Sequence, residues 1–278
     1  MTRSVLVPSS LTREAEDKRE ATRKLGYVAR AATIFRVDRL VVFPDRGGAT
    51  GRFGDGFVDT VLRYAATPPY LRKEAWGRRD ELEYVGVLPP LRVRSQTGSG
   101  SNGSGSLRQG IVTEVGPDGR VRVNCGLQHP ISLPVPPSMA VSEGERVTIR
   151  VSSREPVRAK LVAEPPPGFA VERATIEDAL TRSEAGVRIA ASRLGEELTV
   201  DRLGELAERT ADDGLTVAFG APERGLPEIL DCEPRAGTIG DEPRARFDLW
   251  LNTVPNQGSE TIRTEEALFA TLAPLTLE

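Results

Sequence analysis

The sequence predicts an α/β protein interrupted by a small all-β insertion, and three observations carry that reading. Short apolar runs alternate with amphipathic helical stretches at both ends of the chain, the pattern of a parallel sheet covered by helices. The middle of the chain reads instead as short alternating strands separated by Gly- and Pro-containing turns. A flexible Gly/Ser tract, Ser95–Ser106 (SQTGSGSNGSGS), marks the change of texture. At 278 residues the chain has ample material for a core.

Each element follows from local pattern. Ser4–Pro8 reads as a strand, and Ser9 or Ser10 offers an N-cap for the charged stretch Leu11–Lys24, expected as a surface helix interrupted at Gly26. Helical periodicity resumes over YVARAATIF, where Val28, Ala31, Ala32 and Phe35 make an apolar stripe. Asp38–Phe43 is a β-branched strand, Asp45–Gly56 a glycine-rich loop expected to be mobile, and Phe57–Ala66 a helix ended by Pro68-Pro69. Arg108–Val115, Val121–Gly126, Ile131–Val135 and Arg146–Ser152 are predicted strands, the first pair joined by a Gly116-Pro117-Asp118-Gly119 turn. Four or five short strands within about 70 residues point to a small barrel of the oligonucleotide-binding (OB) type.

From Ala170 the α/β texture returns. Val187–Ser192 is a strand, Thr199–Arg209 an amphipathic helix with Leu203, Leu206 and Ala207 inward, and Leu215–Phe219 a buried strand. Cys232–Arg246 reads as irregular, Phe247–Leu251 as a buried strand, and Ala267–Leu275 as the last helix. Residues 1–92 and 166–278 are thus expected to form one α/β domain, with 93–165 as the inserted barrel.

Composition excludes several classes. Hydrophobic residues are 38% and charged residues 28%, and no segment approaches the roughly 18 apolar residues of a membrane helix. The stretch MTRSVLVPSS lacks the apolar core and cleavage site of a secretory signal, so cytoplasmic residence is expected. Cys125 and Cys232 are then expected as free thiols. A single histidine, His129, leaves too few ligands for zinc, and no metal is expected. The net charge of −3 does not announce a nucleic-acid binder, although nearly all basic residues are arginines, whose planar forks suit phosphate.

Three segments carry candidate chemistry. Gly26–Phe43 places Arg30 one turn after Gly26 on a helix that leads into a strand. Val217–Leu230 (VAFGAPERGLPEIL) ends a strand in Gly220, where a missing side chain lets a ligand approach the backbone. Phe247–Leu275 follows a strand with the small polar loop NTVPNQG and an acid-rich helix start at Glu265 and Glu266. Acids there oppose a bound phosphate, which wants the same positive helix end. There is no G-x-G-x-x-G after the first strand and no G-K-[ST]. A nucleoside-like ligand without phosphates therefore fits best, and S-adenosylmethionine (SAM) is one.

In that order the segments resemble the SPOUT class of methyltransferases, whose C-terminal chain threads a trefoil knot that forms the SAM pocket. Gly26…Arg30…Phe35 is similar to the first motif of the class, Gly220-x-x-Glu223-x-Gly225 to the second, and Val254-Pro255-x-x-Gly258 to the third. DKREATRKLGYVARAATIFRVD, VDTVLRYAATPPYLRKE, VNCGLQHPISLPVPP and LNTVPNQGSETIRTEEA resemble distinctive stretches of one branch, archaeal and eukaryotic RNA methyltransferases with an OB-like barrel inserted in the knotted domain.

The resemblance implies a homodimer with the active site at the interface. It also implies SAM contacts from Phe219, Gly220, Gly225, Asn252, Thr253, Pro255, Gly258, Thr261, Ile262 and Thr264. Ribose methyltransferases of the class carry an Asn where this chain has Lys24, and Ser-Leu-Asn where it has Ile262-Arg263-Thr264. That departure favours a base nitrogen as methyl acceptor, uracil in ribosomal RNA above all. Arg30 or Arg263 would stabilise the uracil anion, and Glu223 or Glu260 would accept its proton. RNA docking is expected of Arg108, Arg122, Arg150 and Lys160 on the barrel, with Arg120 and Arg146 beside them and the basic run Arg13–Lys24 as another candidate. Two rival readings keep the same fold: a non-catalytic ribosome-assembly factor, and a methyltransferase whose acceptor is protein.

Overall fold

A computed structural model describes the chain except for residues 48–52, 55, 94–105, 155, 235, 236, 240, 241 and 278. Half of the glycine-rich 45–56 loop and nearly all of the 95–106 tract therefore lie outside the described residues.

The chain opens with β1 (Arg3–Pro8), α1 (Lys18–Ile34), β2 (Arg39–Phe43) and α2 (Phe57–Ala66). The short α3 (Arg72–Ala75) precedes five strands: β3 (Ser106–Val115), β4 (Arg120–Asn124), β5 (Ile131–Pro134), β6 (Arg146–Arg154) and β7 (Val157–Val162). Then come β8 (Ala170–Arg173), α4 (Ile176–Leu180), β9 (Val187–Glu197), α5 (Val200–Asp213), β10 (Leu215–Ala218) and α6 (Leu226–Leu230). The hairpin β11 (Gly237–Ile239) and β12 (Glu242–Phe247), then β13 (Leu249–Asn252) and α7 (Thr264–Leu275), complete the described elements.

Two compact units result. The first comprises residues 1–63, 81–90 and 169–278. Its six-stranded sheet runs β13-β9-β10-β1-β2-β8, and every pair is parallel. Parallel strands are covered on both faces, and β10 is accordingly buried at every residue (Leu215–Ala218). Leu6, Val41, Phe43, Leu180, Ala190, Ala218, Leu226, Phe247 and Trp250 form one of its cores.

Helix α1 departs from expectation in three ways. Its N-cap is Asp17, which accepts the Glu20 backbone N–H at 2.7 Å. Ser9 and Ser10 are committed elsewhere: the Ser10 hydroxyl donates to Asp45 at 2.6 Å, and Ser9 Oγ accepts the Asp45 N–H at 3.1 Å. Gly26 does not break the helix. It lies buried inside α1, where a Cβ would stand 2.5 Å from Pro89 Cδ, so its role is close packing. The charged stretch is also less superficial than its composition implies, since Ala21, Thr22, Lys24 and Leu25 are buried. Cys232–Arg246, read as irregular, contains nearly all of the antiparallel hairpin β11–β12; the Glu-Pro-Arg start of its second strand hid it.

The second unit comprises residues 64–80 and 91–168. Its antiparallel sheet runs β5-β4-β3-β6-β7, and the terminal strands β5 and β7 approach each other, so the sheet is nearly a barrel. Val112, Val121, Val123, Cys125, Leu133, Val147, Ile149, Val151 and Leu161 fill it. Residues 64–80, which the sequence reading placed with the α/β part, pack here. The Tyr70 hydroxyl donates to Gln109 O at 3.0 Å, and Arg146 and the Trp76 indole both donate to Thr67 Oγ1 at 2.9 Å. Both cysteines are free thiols.

Candidate active site

A cavity of about 560 Å³ opens where β9, β10 and β13 end. Ligands of parallel α/β sheets bind at the carboxyl ends of strands, and this volume lies inside the range of about 300–1,000 Å³ usual for small-molecule sites. Three loops and one helix face make its wall. Ala191–Leu194 comes from β9, Phe219–Gly225 follows β10, and Asn252–Ile262 follows β13. Thr264, Ala267 and Thr271 of α7 close the inner side.

The loop after β10 is a tight turn. Ala221 and Arg224 exchange backbone hydrogen bonds at 3.0 and 3.1 Å, which forces Glu223 into the left-handed region at φ 59°. Gly220 is required here. A Cβ would sit 2.9 Å from Gly225 Cα and Leu226 N and 3.0 Å from Arg224 O, all backbone atoms that cannot move aside cheaply. Beneath the turn, Arg224 Nε donates to the buried Asp45 carboxylate at 3.1 and 3.3 Å, and its Nη1 to Glu228 at 2.5 Å. Asp45 and Glu228 hold the guanidinium above its ordinary pKa against its own desolvation.

The loop after β13 is held by its own polar groups. Asn252 Oδ1 accepts the Val254 N–H at 3.1 Å, and its amide donates to Arg193 O at 3.3 Å, joining this loop to the β9 segment. The Gln257 amide donates to Ser259 O and Glu260 O at 2.8 and 3.1 Å. Thr264 Oγ1 donates to Gly220 O at 2.9 Å, tying the two principal loops together. Such side-chain bonds order the walls in the free protein, which reduces the entropy lost on binding.

Of the residues singled out in the sequence, Phe219, Gly220, Glu223, Gly225, Asn252, Thr253, Glu260, Thr261, Ile262 and Thr264 line the cavity. Pro255 and Gly258 share the third loop but are not on its wall. Arg30 and Arg263 do not line it: Arg30 donates to Pro90 O at 3.3 Å, and Arg263 Nε faces Glu14 at 3.8 Å. Sequence reasoning missed the Ala191–Leu194 segment and the Asp45–Arg224 pair. The first had a signal in the abrupt shift from apolar Ile189-Ala190-Ala191 to Ser192-Arg193. In the second unit Arg108 faces inward, 8% exposed, with its guanidinium 5.1 Å over the Tyr70 ring, so it offers no surface to a phosphate. Arg122 is exposed and faces Glu114 at 3.5 Å, Arg150 pairs with Glu164, and Lys160 is exposed.

Comparison with known proteins decides the class. The sequence model of the family described as "Putative RNA methyltransferase" matches residues 2–275. The chain belongs to this family. The methyltransferase is 73% identical over 281 residues to an uncharacterized protein of Haloarcula marismortui, covering 100% of this chain and 99% of the other. It is 29% identical over 306 residues to the human "28S rRNA (uridine-N(3))-methyltransferase", covering 99% of this chain and 77% of that protein. The Drosophila melanogaster protein of the same name is also 29% identical, over 99% of this chain and 61% of its own length. Among the described residues of the methyltransferase, no cluster of ligating side chains suits a metal ion, and no helix is long and apolar enough to cross a membrane.

Proposed function

We propose that this methyltransferase transfers a methyl group from SAM to a base nitrogen of ribosomal RNA, N3 of a uridine. The carrying observation is the three-loop cavity, whose size and lining suit a nucleoside without phosphates, in a chain that aligns over 99% of its length with uridine-N3 methyltransferases. Three features fit SAM. Small residues such as Gly220, Ala221, Gly225 and Ala267 leave room for close approach along part of the wall. The start of α7 is already matched by Glu266, which accepts the Arg263 N–H at 2.9 Å and leaves no vacancy for phosphate. The lining carries three carboxylates, Glu223, Glu228 and Glu260, against two arginines, Arg193 and Arg224, and Arg224 is tied to Asp45 and Glu228, an acid excess that suits a cationic sulfonium.

Bound there, SAM supplies an electrophilic methyl group on sulfur. The chain's own task is alignment and removal of one proton. Phe219, Gly220, Gly225, Asn252, Thr253, Thr261, Ile262 and Thr264 hold the cofactor, with Pro255 and Gly258 shaping the third loop. Glu223 and Glu260, on opposing loops, are the candidates to accept the uracil N3 proton. Arg263 and Arg30 stabilise the resulting anion, and Arg30 does so from the partner of a homodimer.

The helix surface supports that dimer. Tyr27 and Ile34 of α1 are 46% and 47% exposed, and Phe35 meets Phe269 of α7 edge-on at 6.0 Å beside them. Helix α7 is apolar on nearly every side, as expected of a helix covered on all faces. A trefoil knot through the β13–α7 segment and cytoplasmic residence complete the reading.

The test is transfer of tritium from methyl-labelled SAM to ribosomal subunits, followed by nucleoside digestion. The expected product is N3-methyluridine, and Arg30→Ala is expected to abolish transfer while leaving SAM affinity within about twofold. Label in protein, or SAM binding without transfer to any RNA, would overturn the reading.

A further inference from the structure

We infer that the seam of the barrel-like sheet, between β5 and β7, is a docking groove for the sugar-phosphate backbone of RNA and reads no base. The inference rests on the RNA-methyltransferase reading above and assigns it a second surface, distinct from the cofactor cavity.

The groove has a volume of about 580 Å³. Its lining includes four cations, Arg120, Arg150, Arg158 and Lys160, and no carboxylate, on a chain whose net charge is −3. Charge is therefore segregated here rather than scattered. Arg150 and Lys160 are direct cross-strand partners, a like-charge arrangement that costs stability in a sheet. Glu164 meets Arg150 from outside the lining. Arg158 and Lys160 have no ion pair among the described residues, so an anion in the groove would relieve a repulsion that the fold leaves standing.

The remaining groups suit a phosphodiester. Arg120 is held in place by Ser132, donating through Nε to Oγ and through Nη2 to the carbonyl, both at 3.0 Å. Its fork is thus oriented before any ligand arrives. Ser132 and Ser152 add hydroxyls to the lining. Strands β5 and β7 end the sheet, so each keeps an unladdered backbone edge along the seam.

What the groove lacks sets its selectivity. Its apolar floor is Ile131, Leu133, Val157 and Ala159, and no aromatic ring lines it. Stacking on aromatic rings is how such sheets engage bases, so this groove binds charge and leaves sequence choice to the cofactor cavity.

The experiment uses the full-length protein and the variant Arg120→Ala/Arg158→Ala/Lys160→Ala, all at exposed positions. RNA affinity is measured against salt, with an RNA that the enzyme methylates and a scrambled RNA of equal length. The variant should bind both RNAs about tenfold or more weakly, with the slope of log affinity against log salt shallower by about 2, the value for three lost phosphate contacts. SAM affinity and the circular dichroism spectrum should match wild type. Unchanged RNA affinity and slope, in an enzyme that still methylates RNA, would overturn the groove and leave the function standing. A loss confined to the methylated RNA would overturn backbone reading. A wild-type protein that neither binds nor methylates RNA would overturn both.

Discussion

At the scale of single residues, Asp45 and Arg224 show how the cofactor turn is held. Asp45 is 1% exposed, yet it accepts hydrogen bonds from Ser10 and Arg224. A buried carboxylate is stable only while its partners remain. Arg224→Ala should therefore cost about 3 kcal/mol of unfolding free energy or more, because it strands that charge. Adding Asp45→Asn should recover a large part of the loss, and urea denaturation of the two single variants and the double variant gives the coupling directly. Independent, additive losses would mean the pair holds nothing. The Gly220, Glu223 and Gly225 spacing was legible in the sequence because the constraint is local, a turn of six residues. The Asp45–Arg224 pair was not, since 179 positions separate its members.

Among elements, the join between β9 and β13 carries the third loop. The strands pair at Ile189–Leu249 and Ala190–Trp250, then resume at Glu196–Leu251, so residues 191–195 bulge out and Ala191–Leu194 reach the cavity wall. At the start of this join Arg188 donates to Asp248 through Nε at 3.0 Å, Nη2 at 2.7 Å and its backbone N–H at 2.9 Å. Burial alone would raise the Asp248 pKa, but hydrogen bonds and charge from Arg188 outweigh it and hold the carboxyl below its ordinary 3.8. A depressed pKa contributes stability that is fully present above the unfolded value and is lost as pH falls through the folded one. Asp248→Asn should thus lower stability by about 1–2 kcal/mol at pH 7. The difference from wild type should shrink as pH drops below 3.8, measured by thermal unfolding across pH. A gap that stays constant to low pH would assign the loss to packing. Strands β1, β2, β9 and β10 were legible as apolar runs, while the β11–β12 hairpin was not, because pairing overrides its polar, Pro-containing sequence. The start of α1 was misjudged because two serines that look like caps serve Asp45 instead.

On the scale of the whole molecule, Arg30 lies off the cavity wall while the loops it is expected to serve are intact. If the dimer supplies it, a protein lacking Arg30 and a protein with a damaged cofactor loop should complement each other. Mixing Arg30→Ala with Gly220→Ala under conditions that exchange subunits should restore about one quarter of wild-type activity, since half of the dimers are mixed and each has one intact site. Sedimentation should report a dimer throughout. No activity from the mixture, with exchange confirmed, would place Arg30 in its own chain's site or outside catalysis. The sequence by itself determined the alternation of strands and helices, the β texture of the middle, the exclusion of a phosphate loop and the family, because each depends on near neighbours or on motif order. The tertiary structure decided which of the named residues share a cavity, that Arg108 turns inward onto Tyr70, that Asp45 latches the second loop, and that four cations from three strands line one seam. Those outcomes depend on contacts between segments far apart in the chain, and burial and ion pairing across such distances leave no mark in a local pattern.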